Sequence, residues 1–312
     1  MSPDSVPPTT AAKSVTFLLN GKAGSCDVAS ATELIEKLGA EHGVAVEVIA
    51  FGEGSDLTAL AKEAVEKGVE IVVAGGGDGT INAVASALVG TDVALGVLPL
   101  GTLNHFAKDL GIPLKLEEAV RALFSGESLA VDVGEINGKL FLNNSSLGLY
   151  PRMVKQREAH QKRGLPKWIA FLRASLYVAR NYHSLYLRMK VDDAGAEYRK
   201  TPFIFIGNNR YELAGLQMGK RNSLAGAHLW ICKAPDTTPG GLLRLTLRAL
   251  AGRLKDGDLE ATEAKEAWIE TRGRKAHIAT DGEVVALDGP FHYRSRPQAL
   301  KVIVPQRVPE AA

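Results

Sequence analysis

Ala74-Gly75-Gly76-Gly77-Asp78-Gly79-Thr80 follows a mostly apolar run, Val69 to Val73, and precedes a stretch with helical spacing, Thr80 to Leu88. Strand, glycine turn and helix N-terminus together form a phosphate cradle. Glycines let the backbone approach an anion closely, and the unpaired helix amides, at the positive end of the dipole, hold it there. Asp78 inside the loop adds a negative charge that would repel phosphate unless a divalent cation lay between them. The stretch points to a nucleotide with its metal, and phosphoryl transfer is the first expectation.

Outward from that loop, residues 15–130 alternate strand and helix patterns. Val15–Leu19, Ala45–Phe51, Val69–Ala74 and Ala94–Leu98 read as strands, and Thr32–His42, Leu57–Lys67 and Thr80–Leu88 as helices. Such βαβ alternation predicts a parallel sheet covered by helices, with ligands at the carboxyl ends of its strands. Past residue 130 short alternating segments dominate: Ala130–Ile136, Lys139–Asn144, Ser184–Val191, Tyr198–Ile206, His228–Cys232, Leu243–Leu247, Ala267–Thr271 and Ala276–Ala279. With turns such as Asn137-Gly138 and Asp193-Ala194-Gly195 these predict antiparallel strands, interrupted by one helical stretch from Pro151 to about Asn181. The expected organisation is a disordered tail over 1–14, an α/β nucleotide-binding domain over 15–130 and a β-rich domain over 131–305.

Composition narrows the class. A chain of 312 residues with 46% hydrophobic content buries a substantial core. The net charge of +2 gives no global field favouring nucleic acid. Cys26 and Cys232 lie far apart without metal-ligand spacing, which reads as two reduced thiols in a cytosolic protein. The tail carries Pro3, Pro7 and Pro8 and no apolar signal-peptide core, and no run of about 18 apolar residues suggests a membrane span. The expectation is a cytoplasmic protein that touches membranes from one side at most.

A second loop, Leu98-Pro99-Leu100-Gly101-Thr102-Leu103-Asn104, follows the next strand, with Thr102 as a candidate helix cap. Two glycine-bearing loops at neighbouring strand ends are far more specific than either alone. Together, Gly75–Thr80 with Asn82, and Gly101-Thr102-Leu103-Asn104 with Phe106-Ala107-Lys108, resemble the catalytic domain of the diacylglycerol kinase family, which includes sphingosine, ceramide and bacterial lipid kinases. Asn20–Gly24 resembles its first nucleotide-binding turn, Phe141-Leu142-Asn143 with Gly148 its Phe-x-Asn…Gly segment, and Thr280-Asp281-Gly282-Glu283 its late Asp-Gly-Glu motif.

The resemblance implies an α/β domain like that of phosphofructokinases and NAD kinases, followed by a sandwich-like β domain. It implies ATP with Mg²⁺ and transfer of the γ-phosphate to a lipid hydroxyl. Gly75, Gly76, Gly77, Asp78, Gly79, Thr80 and Asn82 would hold the nucleotide phosphates, with Asp78 toward the metal. Asn20, Gly21, Lys22, Ala23, Gly24, Gly101, Thr102 and Asn104 would complete the nucleotide site. Asp281 and Glu283 supply carboxylates, one of which accepts the acceptor hydroxyl's proton, and the sequence does not assign which. Three departures stand out. Gly21 replaces the usual proline, Ile49-Ala50-Phe51 offers no nucleotide-contacting threonine, and Ala225 stands where bacterial members carry an aspartate for a structural Mg²⁺.

Arg152, Lys155, Arg157, Lys162, Arg163 and Lys167 lead into Trp168, Ile169, Phe171, Leu172, Leu176, Tyr177 and Val178 at roughly helical spacing. A basic stretch entering an aromatic amphipathic helix is a means of docking on anionic lipid, and equally describes a solvated face beside a core-packed helix. Asn208-Asn209, after a strand, falls where family members place an asparagine near the site, and is also an ordinary turn. Two other functions share these features. An NAD kinase uses the same Gly-Gly-Asp-Gly-Thr, and a non-catalytic sensor of nucleotide or lipid would keep the fold. No nucleic-acid partner is expected, and a homodimer through an exposed strand edge is compatible with the β-rich half.

Overall fold

The computed structural model describes residues 14–21, 27–148, 184–212, 220–221, 223–235, 238–250, 254 and 257–306. Lys22, Ala23, Gly24, the tail over 1–13 and the basic–aromatic stretch Arg152–Val178 lie outside them. The chain forms two compact units, residues 1–131 with 299–312 and residues 132–298. The last segment of the sequence thus belongs with the first unit.

The first unit is a parallel sheet with helices. Its strands are β1 (Ser14–Asn20), β2 (Ala45–Phe51), β3 (Ile71–Gly76), β4 (Ala94–Pro99) and the end of β16 (Phe291–Val304). Their order is β2-β1-β3-β4-β16, with Leu19 opposite Gly75, Gly75 opposite Leu98 and Val302 opposite Leu95. All six residues of β3 and of β4 are buried, which is why both read as unbroken apolar runs rather than alternating ones. Helices α1 (Val28–His42) and α2 (Leu57–Glu66) start on aspartates: Asp27 accepts from the amides of Ala29 and Ser30, and Asp56 from that of Ala59. Gly43, at φ 68°, closes α1 in a left-handed cap. Helices α3 (Asp78–Leu88), α4 (His105–Asp109) and α5 (Leu116–Ser125) complete the unit. Strand order reverses between β1 and β3, the position at which sheets of this kind bind ligands.

The second unit is a β-sandwich. One sheet runs β12 (Glu260–Ala264), β11 (Leu229–Lys233), β10 (Phe203–Asn208), β7 (Asn144–Gly148), β14 (Lys275–Thr280), β15 (Glu283–Asp288). The other pairs the start of β16 with β13 (Glu266–Thr271), β8 (Leu185–Val191) and β9 (Glu197–Thr201). Phe141, Leu147, Met189, Ile206, Ile269 and Tyr293, drawn from both sheets, share one core. Asn137 and Gly138, at φ 47° and 82°, form the tight hairpin turn between β5 (Glu127–Ile136) and β6 (Lys139–Phe141) that their sequence predicts.

One expected strand is a helix. Leu243–Leu247 alternates apolar and polar residues, yet it lies inside α6 (Pro239–Leu250). Thr238 accepts the Gly241 amide on its hydroxyl and Pro239 opens the helix, so the start signals outweigh a five-residue alternation. The expected strand Tyr198–Ile206 is two, β9 and β10, separated at Pro202. Among the described residues no helix is long and apolar enough to cross a membrane.

Candidate active site

The glycine loop lies where its sequence places it, on the carboxyl end of β3 beside the end of β1. Gly77 is the cap residue of α3 and has no side chain to offer, so the first turn is left for an outside acceptor. The ladder begins with the Ile81 amide on the Gly77 carbonyl at 3.1 Å. The amides of Asp78, Gly79 and Thr80 therefore precede it. A β-carbon on Gly76 would come within 2.5 Å of the Thr80 hydroxyl, and one on Gly101 would strike the backbone of Gly77. The two loops thus pack main chain to main chain, which only glycine permits.

Asp78 joins them. Its carboxylate accepts from the amides of His105 at 3.3 Å and Phe106 at 3.2 Å, the first two residues of α4. The side chain belongs to α3 and caps α4. Thr102, expected as a helix cap, does not serve as one: α4 starts at His105, the cap residue is Asn104, and Thr102 is exposed two positions upstream. Asn104 adopts a left-handed conformation (φ 51°), is buried, and donates its Nδ2 to the carbonyls of Pro99 and Gly101 at 3.2 and 2.8 Å. Its Oδ1 is buried and has no hydrogen-bond partner among the described residues. A buried acceptor of this kind needs a donor from elsewhere. Asn20 ends β1, and the Gly21 amide bonds the Phe51 carbonyl at 3.0 Å. Asn82 accepts from the Ser86 hydroxyl at 3.2 Å.

In the second unit Asp281-Gly282 is the two-residue turn of the β14–β15 hairpin, both residues at positive φ (48° and 87°). It is more than a turn. The Asp281 carboxylate accepts three successive amides, Leu142 at 2.7 Å, Asn143 at 2.9 Å and Asn144 at 3.0 Å. The carbonyls of those peptides are gripped from the other side. That of Leu142 accepts from Arg221 Nη1 at 2.6 Å and Asn208 Nδ2 at 3.0 Å, and that of Asn143 from the Tyr211 hydroxyl at 3.0 Å and the Asn208 amide at 2.9 Å. Each gripped carbonyl polarises its peptide and strengthens the amide bond to Asp281. Glu283, two residues on, stands exposed at the start of β15. The sequence reading missed Arg221 and Tyr211, because they act on Asp281 through main-chain carbonyls and no spacing marks them.

Asp132 was also missed, although a lone acid between Val131 and Val133 is a legible anomaly. It is 1% exposed. Its carboxylate takes Asn209 Nδ2 at 3.0 Å, the Ala227 amide at 2.6 Å and the Gln298 amide at 2.8 Å. Asn208 and Asn209 are therefore structural members of these two networks.

The donor sets decide which implied groups fit. Glycine main chain and an uncapped helix N-terminus, both amide donors, fit a nucleotide phosphate end, whereas Asn104 Oδ1, an acceptor, suits a donor such as a ribose hydroxyl or a metal-bound water. A nucleotide-bound Mg²⁺ commonly takes only one or two protein carboxylates, so Asp78 alone suits it. The structural Mg²⁺ that the resemblance implies does not fit. Ala225 brings no carboxylate, and three N–H donors already satisfy the buried acid Asp132.

Residues 14–136 match the diacylglycerol kinase catalytic domain. The "Probable lipid kinase YegS" of Shigella dysenteriae is 31% identical over 310 residues, covering 94% of this chain and 96% of that protein. The "Probable lipid kinase YegS-like" protein of Enterobacter is 39% identical over 154 residues, 48% of this chain and 50% of its own length. A crystal structure described as a diacylglycerol kinase of Bacillus anthracis shares the fold, with a TM-score of 0.75 at 23% identity over 95% of this chain and 99% of that one. With a two-unit fold and paired glycine loops of this kind, the chain belongs to the diacylglycerol kinase catalytic-domain family.

Proposed function

We propose that this chain, a kinase by its family, transfers the γ-phosphate of ATP to a hydroxyl of a lipid, diacylglycerol-like or sphingoid/ceramide-like, drawn from a membrane surface. The observation that carries the reading is the Asp78 bridge, which ties the amide-rich start of α3 to that of α4 around two glycine loops. Main-chain amides of residues 77–80 hold the phosphates, and Asn20, Gly21, Gly101 and Asn104 bound the same strand ends. Mg²⁺, bound with the nucleotide, would neutralise phosphate charge beside Asp78 and make the γ-phosphorus open to attack.

The carboxylates proposed for the reaction, Asp281 and Glu283, belong to the second unit. A lipid hydroxyl is a weak nucleophile, and a carboxylate in reach accepts its proton as the phosphoryl group moves. Asp281 is held rigidly by three amides and Glu283 is open to solvent, so the two differ in what they can do. Asp281 positions with precision, and Glu283 meets a proton without breaking internal bonds. The stretch Arg152–Val178 is proposed as one membrane contact.

The test offers diacylglycerol, ceramide, sphingosine and monoacylglycerol in mixed micelles, with NAD in parallel, and follows labelled γ-phosphate from ATP with Mg²⁺. Label in one lipid, lost in Asp78→Asn, supports the proposal and names the acceptor. Label in NAD, or in nothing while ATP still binds, overturns it.

A further inference from the structure

The outer face of the β9-β8-β13 strands in the second unit concentrates exposed aromatic rings. Tyr198 is 80% exposed, Tyr186 47% and Trp268 39%; no other Tyr or Trp among the described residues is comparably open. Strand register puts them together. Tyr186 lies opposite Lys200, Arg188 opposite Tyr198, and Trp268 opposite both Lys190 and His292. The alternate positions, Leu187, Met189, Ala267 and Ile269, are buried, so the face is a true outward side. It is also basic. Arg188, Lys190, Lys200, Arg272 and Arg294 stand on it against three carboxylates: Glu266 pairs with His292 at 3.1 Å, Glu270 with Arg188 at 3.2 Å, and the buried Glu135 with Arg294 at 2.6 Å.

We infer that this face docks on an anionic lipid bilayer. Amphipathic rings beside cations suit the headgroup zone, and excess positive charge is drawn to anionic lipid. Single-stranded nucleic acid needs open ring faces for base stacking, and two of the three rings have a face already covered. Arg272 sits over the Tyr186 ring at 4.6 Å and Lys200 lies 5.8 Å from its centroid. His292 stacks on Trp268 at 3.9 Å and 6°. One face of the Tyr186 ring and one of the Trp268 ring are thus taken.

The inference rests on the lipid-kinase reading for its purpose but is tested apart from it. Sedimentation with phosphatidylglycerol/phosphatidylethanolamine vesicles and with phosphatidylcholine vesicles is measured at low and high salt. The double variant Lys200→Glu/Arg272→Glu is compared with Tyr198→Ala/Trp268→Ala and the parent. The expected results are salt-sensitive binding to the anionic vesicles, weakened about thirtyfold or more by the charge reversals, and a loss in the aromatic variant too. Phosphorylation of a short-chain, monomeric diacylglycerol should remain at the parent level in every variant. Equal sedimentation of variants and parent, no vesicle binding by the parent, or capture of a single-stranded RNA oligomer in preference to vesicles overturns the docking face. Face-dependent vesicle binding with no phosphorylated lipid leaves it standing and removes the kinase reading instead.

Discussion

The Asp78 carboxylate, in the first turn of α3, accepts the backbone amide of Phe106, the second residue of α4, at 3.2 Å. One acid thus caps a helix to which it does not belong. Asp78→Asn keeps an acceptor oxygen for that cap and removes the charge. Turnover should fall at least a hundredfold while the melting temperature moves little. Asp78→Ala should in addition lose about 1 kcal/mol of stability. Full turnover in the Asn variant would remove Asp78 from the reaction.

Asp281 and Glu283 should separate in paired assays. Asp281→Ala leaves three half-buried amides without their acceptor and should cost about 2–4 kcal/mol in urea denaturation. Glu283→Gln, at an exposed position, should leave stability within about 0.5 kcal/mol of the parent. If Glu283 is the proton acceptor, its variant is inactive yet fully folded; if it is active, the base is Asp281.

The grip on Asp281 predicts a coupling. Arg221 donates to the Leu142 carbonyl at 2.6 Å, and the Asn143 amide of that peptide donates to Asp281 at 2.9 Å. A double-mutant cycle of Arg221→Gln with Asp281→Asn should therefore be non-additive by more than about 0.5 kcal/mol. Additive losses would mean that the two side chains act independently.

Metal removal should leave the nucleotide-free fold alone. Three N–H donors satisfy Asp132, so EDTA should leave the melting temperature within about a degree of that in Mg²⁺. A clear drop on chelation would show a metal bound in the second unit after all.

Alkali should weaken the protein in a defined window. Burial pushes the Cys232 thiol up from 9.0 to about 12 and also raises the Tyr293 hydroxyl. The folded state keeps the Cys232 proton at pH values where the unfolded chain has released it. The stability this gives is whole below about pH 9 and is lost above it, by about 1.4 kcal/mol per pH unit for each such group. Cys232→Ala should flatten the first part of that decline in pH-dependent urea titrations.

The first unit was legible because β1, β3 and β4 are buried on both faces, and Ser14–Asn20 and Ala94–Pro99 consequently read as apolar runs closed by turn residues. Asp78 was legible because a charge among glycines has few structural reasons to be there. Alternation misled at Leu243–Leu247, where Thr238 and Pro239 start a helix. It gave no warning of β16, whose Arg294, Arg296 and Pro297 interrupt any period. The hold on Asp281 was not legible at all. It runs through peptide groups of a segment 137 to 139 positions earlier, and side-chain identity does not record what a carbonyl accepts.

That late strand has a consequence for how the chain is made. Val302 pairs with Leu95, and Gly126 packs so closely on Val304 that a β-carbon there would come within 2.5 Å of its carbonyl. A ribosome working from the N-terminus has to release β5 through β15 before the parallel sheet receives its last strand. Until then β4 offers an open edge to whatever nascent chain passes by. The amino-terminal unit is therefore completed only after the strands of the second unit have emerged, and a stalled ribosome anywhere before residue 299 leaves it unfinished.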